Sequence, residues 1–161
     1  MPDNCSFEQA ALAEPLSVIL HASRRAALSA GQTVLVFGVG TIGLLACAVA
    51  KSQGASHVVA IDINQSRLDF AKANGFASQV FTVPPVDKGK TTEDQLRRAK
   101  ENIQAALMKF GEPEGFDLVF ECTGAEPCIQ MSILVSPLHS PLTRLDLITS
   151  GTLRLLSPEA K

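Results

Sequence analysis

The chain has 161 residues, 46% of them hydrophobic and 19% charged, with a net charge of −2. That is enough for one domain with a buried core, and it gives no electrostatic case for nucleic acid or an anionic membrane as a partner. The longest apolar stretch, Val34 to Ala50, is interrupted by three glycines, so no membrane span is expected; no basic segment leads into an apolar one at the N-terminus, so a signal peptide is not expected and the cytoplasm is the default compartment.

In chain order, Ser6-Phe7-Glu8-Gln9 has the form of a capping box and opens a short helix through Leu12. Pro15 suits the first turn of a second helix carrying Leu16, Ile19, Leu20 and Leu28, which ends before Gly31. A first strand is expected over 33–37, a helix over 41–53 stopped by Gly54, a second strand over 57–61, a helix over 65–73 ended by Asn74-Gly75, and a third strand over 79–83 closed by Pro84-Pro85. Residues 86–90 read as a polar loop. Thr92-Glu93-Asp94-Gln95 offers a second capping box, and Leu96, Ala99, Ile103, Ala106, Leu107 and Phe110 recur at helical spacing with a solvated charged face. A fourth strand over 116–121 and a helix from Glu126 follow.

Between the first strand and its helix lies Gly38-Val39-Gly40-Thr41-Ile42-Gly43, a G-x-G-x-x-G, and Asp62 ends the second strand 19 positions beyond the last of these glycines. In that strand–loop–helix–strand context the pattern is the dinucleotide fingerprint. Gly38 permits the tight turn, Gly40 lets a pyrophosphate approach the backbone, and Gly43 lets the helix sit near the sheet. The N–H groups of Val39, Gly40, Thr41 and Ile42, at the positive end of the helix dipole, suit a diphosphate. Asp62 would accept from the adenosine ribose hydroxyls and repel a 2′-phosphate, which favours NAD over NADP. A glycine-rich turn in an unrelated α/β protein and a methyltransferase are the alternatives; the latter has a more open loop than Ile42-Gly43-Leu44 implies.

Alternating helices and continuously apolar strands imply a doubly wound parallel sheet covered on both faces. Right-handed crossovers place strand one between strands two and four. The fold expected is an incomplete Rossmann-type sheet of four strands, with N-terminal helices and an irregular or hairpin C-terminal tail. The cofactor would cross the carboxyl ends of strands one and four, with Cys122-Thr123-Gly124 facing the nicotinamide half; a turn chosen only for backbone geometry is the plainer reading of that triplet. Cys5, Cys47, Cys122 and Cys128 show no C-x-x-C spacing, and His21, His57 and His139 have no second ligand at useful spacing. Cys47 reads as a small core hydrophobe.

From about Pro2 to Ile133 the chain resembles the medium-chain zinc-dependent dehydrogenases, in their NAD-linked polyol branch of sorbitol, xylitol and arabinitol dehydrogenases. The residues that carry the resemblance are Pro2-Asp3-Asn4, Phe7 to Leu12, Glu14-Pro15-Leu16-Ser17-Val18, the glycine loop, Asp62 with Arg67, and Glu121-Cys122-Thr123-Gly124. It implies oxidation of a sugar alcohol to a ketose, with hydride passing to the nicotinamide and zinc acting as Lewis acid. It also implies that Gly38, Gly40, Gly43, Asp62 and Arg67 hold the adenosine and pyrophosphate, that Thr123 and Gly124 line the nicotinamide approach, and that Glu14 lies beside zinc. As plainer readings, Arg67 is a surface residue and Glu14 a helix-start acid. The stretch 84–91 and the long third helix resemble a subgroup insertion.

Two departures shape the expectations. The cysteine and the histidine–glutamate pair that bind zinc in the family are not in this chain, so zinc is expected in the full-length family and not here. After 133–134 the sequence leaves the family pattern, as a shortened reading frame or alternative transcript would. The expected divisions are a helical lead-in over 1–31, the NAD-binding unit over 32–134 and a non-family tail over 135–161. Strand four would then be an exposed sheet edge, and the family dimer would be lost. Arg144 to Thr149 and Thr152 to Leu156 around Ser150-Gly151 form a candidate hairpin that could dock beside strand four; disorder is its alternative. An NAD-binding module without catalysis, or an unstable fragment, are the alternatives for the chain taken alone.

Overall fold

Val34, Leu35, Val36 and Phe37 are completely buried, as a strand covered on both faces must be. They belong to β1 (Thr33–Phe37), the central strand of the sheet. The computed structural model describes residues 2–84 and 91–135 and the backbone of 142–144. The other strands are β2 (His57–Asp62), β3 (Gln79–Thr82), β4 (Leu118–Glu121) and β5 (Leu142–Arg144), in the order β3-β2-β1-β4-β5. All pairings are parallel, with Val36 opposite Ala60 on one side and Phe120 on the other. The four expected strands are therefore present, with strand one between strands two and four.

The helices are α1 (Phe7–Ala11), α2 (Ala13–Arg25), α3 (Thr41–Ser52), α4 (Gln65–Ala73), α5 (Thr92–Phe110) and α6 (Glu126–Val135). They divide between the two sheet faces. Ile19 and Ala22 of α2, Ala46, Cys47 and Ala50 of α3, and Leu68 and Ala71 of α4 pack on Val34, Val36, Val58 and Ala60. Ala99, Ile103, Ala106 and Phe110 of α5, with Met131 and Val135 of α6, pack on Leu35, Phe37, Val59 and Val119. The alternation of side chains along β1 feeds both layers, and each fully buried Val, Leu, Ile or Phe contributes about 1.5–3 kcal/mol. No helix among the described residues is long and apolar enough to cross a membrane.

Side chains cap the starts of α1, α4 and α5. Ser6 caps α1 in a complete capping box: its Oγ accepts the Gln9 N–H at 3.2 Å, and Gln9 Oε1 accepts the Ser6 N–H at 3.0 Å. Three details differ from expectation. The cap of α5 is Thr91, whose Oγ1 accepts the Asp94 N–H at 3.3 Å, so that box sits one residue earlier. Helix α2 ends at Arg25 rather than reaching Leu28, because Ala27 takes a left-handed conformation with φ +53°; Leu28 packs on the core from the following loop.

The third difference concerns the sheet edge. Strand β4 reads in sequence as an exposed edge that a tail segment could cover; Leu142–Arg144 pairs with it in parallel, Val119 opposite Leu142 and Glu121 opposite Arg144. The sheet thus gains a fifth strand from beyond residue 134, which gives donors and acceptors on the outer side of β4 backbone partners. Apart from Arg144, the candidate hairpin over 144–149 and 152–156 lies outside the described residues, as do positions 85–90 of the candidate insertion.

Candidate dinucleotide-binding crevice

The carboxyl ends of β2, β1 and β4 meet at one end of the sheet, and the chain leaves each through a polar turn. At β1 the turn starts with Gly38 at φ +85°, a left-handed conformation that favours glycine. Its N–H donates to Ile61 O at 2.7 Å, while Phe37 O accepts the Cys122 N–H at 2.9 Å, so the loop is anchored to both neighbours. A Cβ on Gly43 would lie 1.7 Å from Gly38 O. Glycine is thus required at 43 by close packing of α3 on the loop.

Gly40 obeys a different constraint. Its φ is −73°, open to any residue, and a Cβ there would meet nothing within 4 Å. No protein atom explains a glycine at this point. It is the N-cap of α3, and no side chain accepts from the helix start, whereas Ser6, Asn64 and Thr91 cap α1, α4 and α5. The first N–H groups of a helix lack intrahelical partners and sit at its positive end. The α3 start therefore offers donors, positive potential and free space at one place, the requirements of a phosphate cradle. A cleft of about 370 Å³ opens beside it, lined by Val39, Gly40, Thr41, Leu44, Ser66, Arg67 and Phe70.

Asp62 ends β2 almost buried, 9% exposed. Its Oδ2 accepts the Val39 N–H at 2.8 Å and its Oδ1 accepts the Asn64 N–H at 2.8 Å. Each carboxylate oxygen can accept more than one hydrogen bond, so Asp62 braces the glycine loop and keeps acceptor capacity. Ile63, directly after it, is an apolar side chain left 69% exposed. Arg67 is exposed in the first turn of α4, on the cleft wall.

On the other side, Glu121 ends β4 fully buried. Its Oε1 accepts the Thr123 N–H at 2.9 Å and also the Thr123 hydroxyl, and its Oε2 accepts the Gly124 N–H at 3.0 Å. Thr123 Oγ1 accepts the Ala125 N–H at 3.0 Å. The turn abuts the glycine loop, since a Cβ on Gly38 would come within 2.6 Å of Thr123 Cγ2.

Three of the thiols, Cys47, Cys122 and Cys128, are shifted toward the protonated form. Burial pushes the Cys47 pKa up to about 12. Burial chiefly, with the charge of Glu121, also raises Cys122, and burial raises Cys128. Cys47 packs in the α2–α3–α4 core, as a small hydrophobe does.

Of the candidate site residues, Val39, Gly40, Thr41 and Arg67 line the cleft; Gly38, Ile42 and Gly43 lie in the adjoining loop and helix start, Asp62 is bonded to Val39 N–H, and Cys122, Thr123 and Gly124 form the turn beside Gly38. Glu14 stands apart from this group, exposed in the first turn of α2, and among the described residues no three His, Cys, Asp or Glu side chains converge on a metal-sized space. Sequence reasoning missed Leu44, Ser66 and Phe70 as cleft walls, although Ser66 and Phe70 share one helical face at i, i+4. It also missed Glu121 as the anchor of its turn, for which an acid ending an apolar strand was the available signal.

A parallel doubly wound sheet with an uncapped, glycine-opened crossover helix and an acid on the next strand defines a Rossmann-like α/β protein. Residues 41–136 match the family described as zinc-binding dehydrogenase, and the chain belongs to that family. It is 38% identical over 135 residues to D-xylulose reductase A of Aspergillus niger, covering 84% of this chain and 34% of that protein. It is 39% identical to D-xylulose reductase of Saccharomyces cerevisiae over the same length, 84% of this chain and 35% of that one. The chain therefore spans about a third of the length of the relatives it matches. Among solved structures, galactitol-1-phosphate dehydrogenase of Escherichia coli superposes with a TM-score of 0.70 at 28% identity, over 97% of this chain and 40% of its own. A structure from Sinorhizobium meliloti solved with NADP bound superposes at 0.74 with 24% identity, over 98% and 42%, which supports the fold.

Proposed function

We propose that this chain binds a nicotinamide dinucleotide and is the coenzyme-binding portion of a zinc-dependent polyol dehydrogenase that oxidises a sugar alcohol to a ketose. The observation that carries the reading is the vacant space over Gly40 at the uncapped start of α3. Together with Asp62 on β2 it fits a diphosphate and a ribose at adjoining positions. The N–H groups of the loop and of the first turn of α3 would hold the diphosphate. Asp62 would accept from the ribose hydroxyls, Arg67 would add charge at the cleft wall, and Ile63 offers the purine an apolar surface. Thr123 and Gly124 would border the nicotinamide, whose C4 accepts the hydride when bound. The polyol assignment rests on the D-xylulose reductases this chain resembles.

The donor set does not fit a complete zinc site among the described residues, because Glu14 has no partner ligands. Glu14 is a zinc-adjacent candidate in the whole enzyme. The same observation favours a second reading for the chain by itself, a module that holds the dinucleotide without turnover. The cytosol is the compartment we assign. Titration of the 161-residue chain with NADH and NADPH, followed by nicotinamide fluorescence, tests the proposal. NADH binding with weaker NADPH binding is expected, since a 2′-phosphate would approach Asp62; no binding of either refutes it.

A further inference from the structure

Glu121 is a completely buried acid, and burying a charge is costly unless it is well hydrogen-bonded. Among the described residues its donors come from one turn: the N–H groups of Thr123 and Gly124 and the Thr123 hydroxyl. A buried acid satisfied by three donors within three residues of itself has a local task, which is to shape that turn. The turn has a bend at Gly124, φ +67°, and leads directly into α6.

The turn also touches the cofactor loop. Thr123 Cγ2 occupies the space a Gly38 side chain would need, 2.6 Å from its Cβ position. Cys122 N–H holds Phe37 O, the last carbonyl of β1 before that loop. The Thr123 hydroxyl spends its proton on Glu121 and accepts from Ala125 N–H, which fixes its rotamer. Asp62 holds the opposite side of the same loop through Val39 N–H. Two acids, one at the end of β2 and one at the end of β4, therefore clamp the crevice from its two sides.

We infer that Glu121 is a positioning residue for the nicotinamide half of the dinucleotide, acting through the Thr123–Gly124 turn, while Asp62 serves the adenosine half. The inference rests on the dinucleotide-binding proposal. It separates the two halves because β4 and β2 lie on opposite sides of β1, and the crevice of such a sheet runs across that central strand. Glutamine at 121 would replace one acceptor oxygen by an amide group that donates, and would set it against an N–H donor of the turn.

The test uses the full chain and two probes, NADH for both halves and AMP for the adenosine half. The wild-type chain should bind both. Glu121→Gln should weaken NADH by about tenfold, the order of one lost hydrogen bond to a charged group, while AMP stays within about twofold. Thr123→Val, at an exposed position, should give the same split and replaces Glu121→Gln if that variant does not fold. NADH affinity within about twofold of wild type in the variant, or parallel losses for NADH and AMP, overturns the inference and leaves the binding proposal standing. A wild-type chain that binds neither probe overturns both.

Discussion

Two glycines of one motif, three positions apart, should respond oppositely to the same methyl group. In Gly43→Ala the new Cβ would stand 1.7 Å from Gly38 O, 2.9 Å from Gly38 C and 3.4 Å from Val36 Cγ1. An ordinary carbon–oxygen contact is about 3.3 Å or more, so the α3 start or the glycine loop must move by roughly 1.5 Å. The atoms in the way are backbone, held by Ile61 O and by Asp62 through Val39 N–H, and a packed region cannot yield cheaply. Forced overpacking costs about 1–3 kcal/mol, occasionally more. At about 2–8 °C per kcal/mol for a domain of this size class, the melting temperature should fall by several degrees, with the urea midpoint falling alongside. In Gly40→Ala the methyl meets nothing and φ is ordinary. Stability should change by only about 0.5 kcal/mol, the scale of a Gly–Ala difference at such a position, while NADH affinity drops about tenfold or more because the methyl occupies the diphosphate space. Urea unfolding and NADH titration on both variants decide the matter. If Gly43→Ala melts with wild type, or Gly40→Ala binds NADH as wild type does, the steric argument is wrong.

Asp62→Ala should reduce AMP affinity by about 1–3 kcal/mol and destabilise the fold by a similar amount, since it also strips acceptors from Val39 and Asn64 N–H; an unchanged calorimetric AMP constant would count against its role. Asp117→Ala removes the acceptor of Thr33 N–H at 2.8 Å and Thr33 Oγ–H at 3.0 Å, at the far end of β1. It should lower the urea midpoint by the equivalent of about 1 kcal/mol and leave NADH affinity alone; a binding loss would show the two ends of the sheet to be coupled. The Cys47 thiol, raised from 9.0 to about 12 in the fold, releases its proton more readily when unfolded. Its contribution is therefore complete below pH 9 and is lost as pH rises toward 12, with a slope of up to about 1.4 kcal/mol per pH unit. Cys47→Ala should flatten the alkaline fall in stability relative to wild type, and identical slopes would refute the assignment.

Elements and the glycine loop were legible in the sequence because their signals are local. The apolar run at 33–37, the Ser6 cap and the helical spacing along α5 each depend on neighbours within a few residues, and the helix over 65–73 and the strand over 33–37 appear at the expected bounds. The misses share one cause. Leu28 left its helix because of a single left-handed alanine, a conformation that no hydrophobic period records. The sequence suggests a tail segment beside β4 but not Leu142–Arg144 as that strand, because three residues carry almost no pattern and the pairing with Val119–Glu121 is a long-range event.

Residue types and spacing by themselves determined that a parallel sheet would form, that a glycine-rich turn into a helix would follow its central strand, and that an acid would stand on the next one. Only the tertiary structure decided which donors the buried acids hold. Asp62 reaches Val39 across 23 residues, and Asp117 reaches Thr33 across 84. A buried polar group must find its partner wherever the fold delivers one, and that choice is made by strand order and loop approach rather than by adjacent sequence.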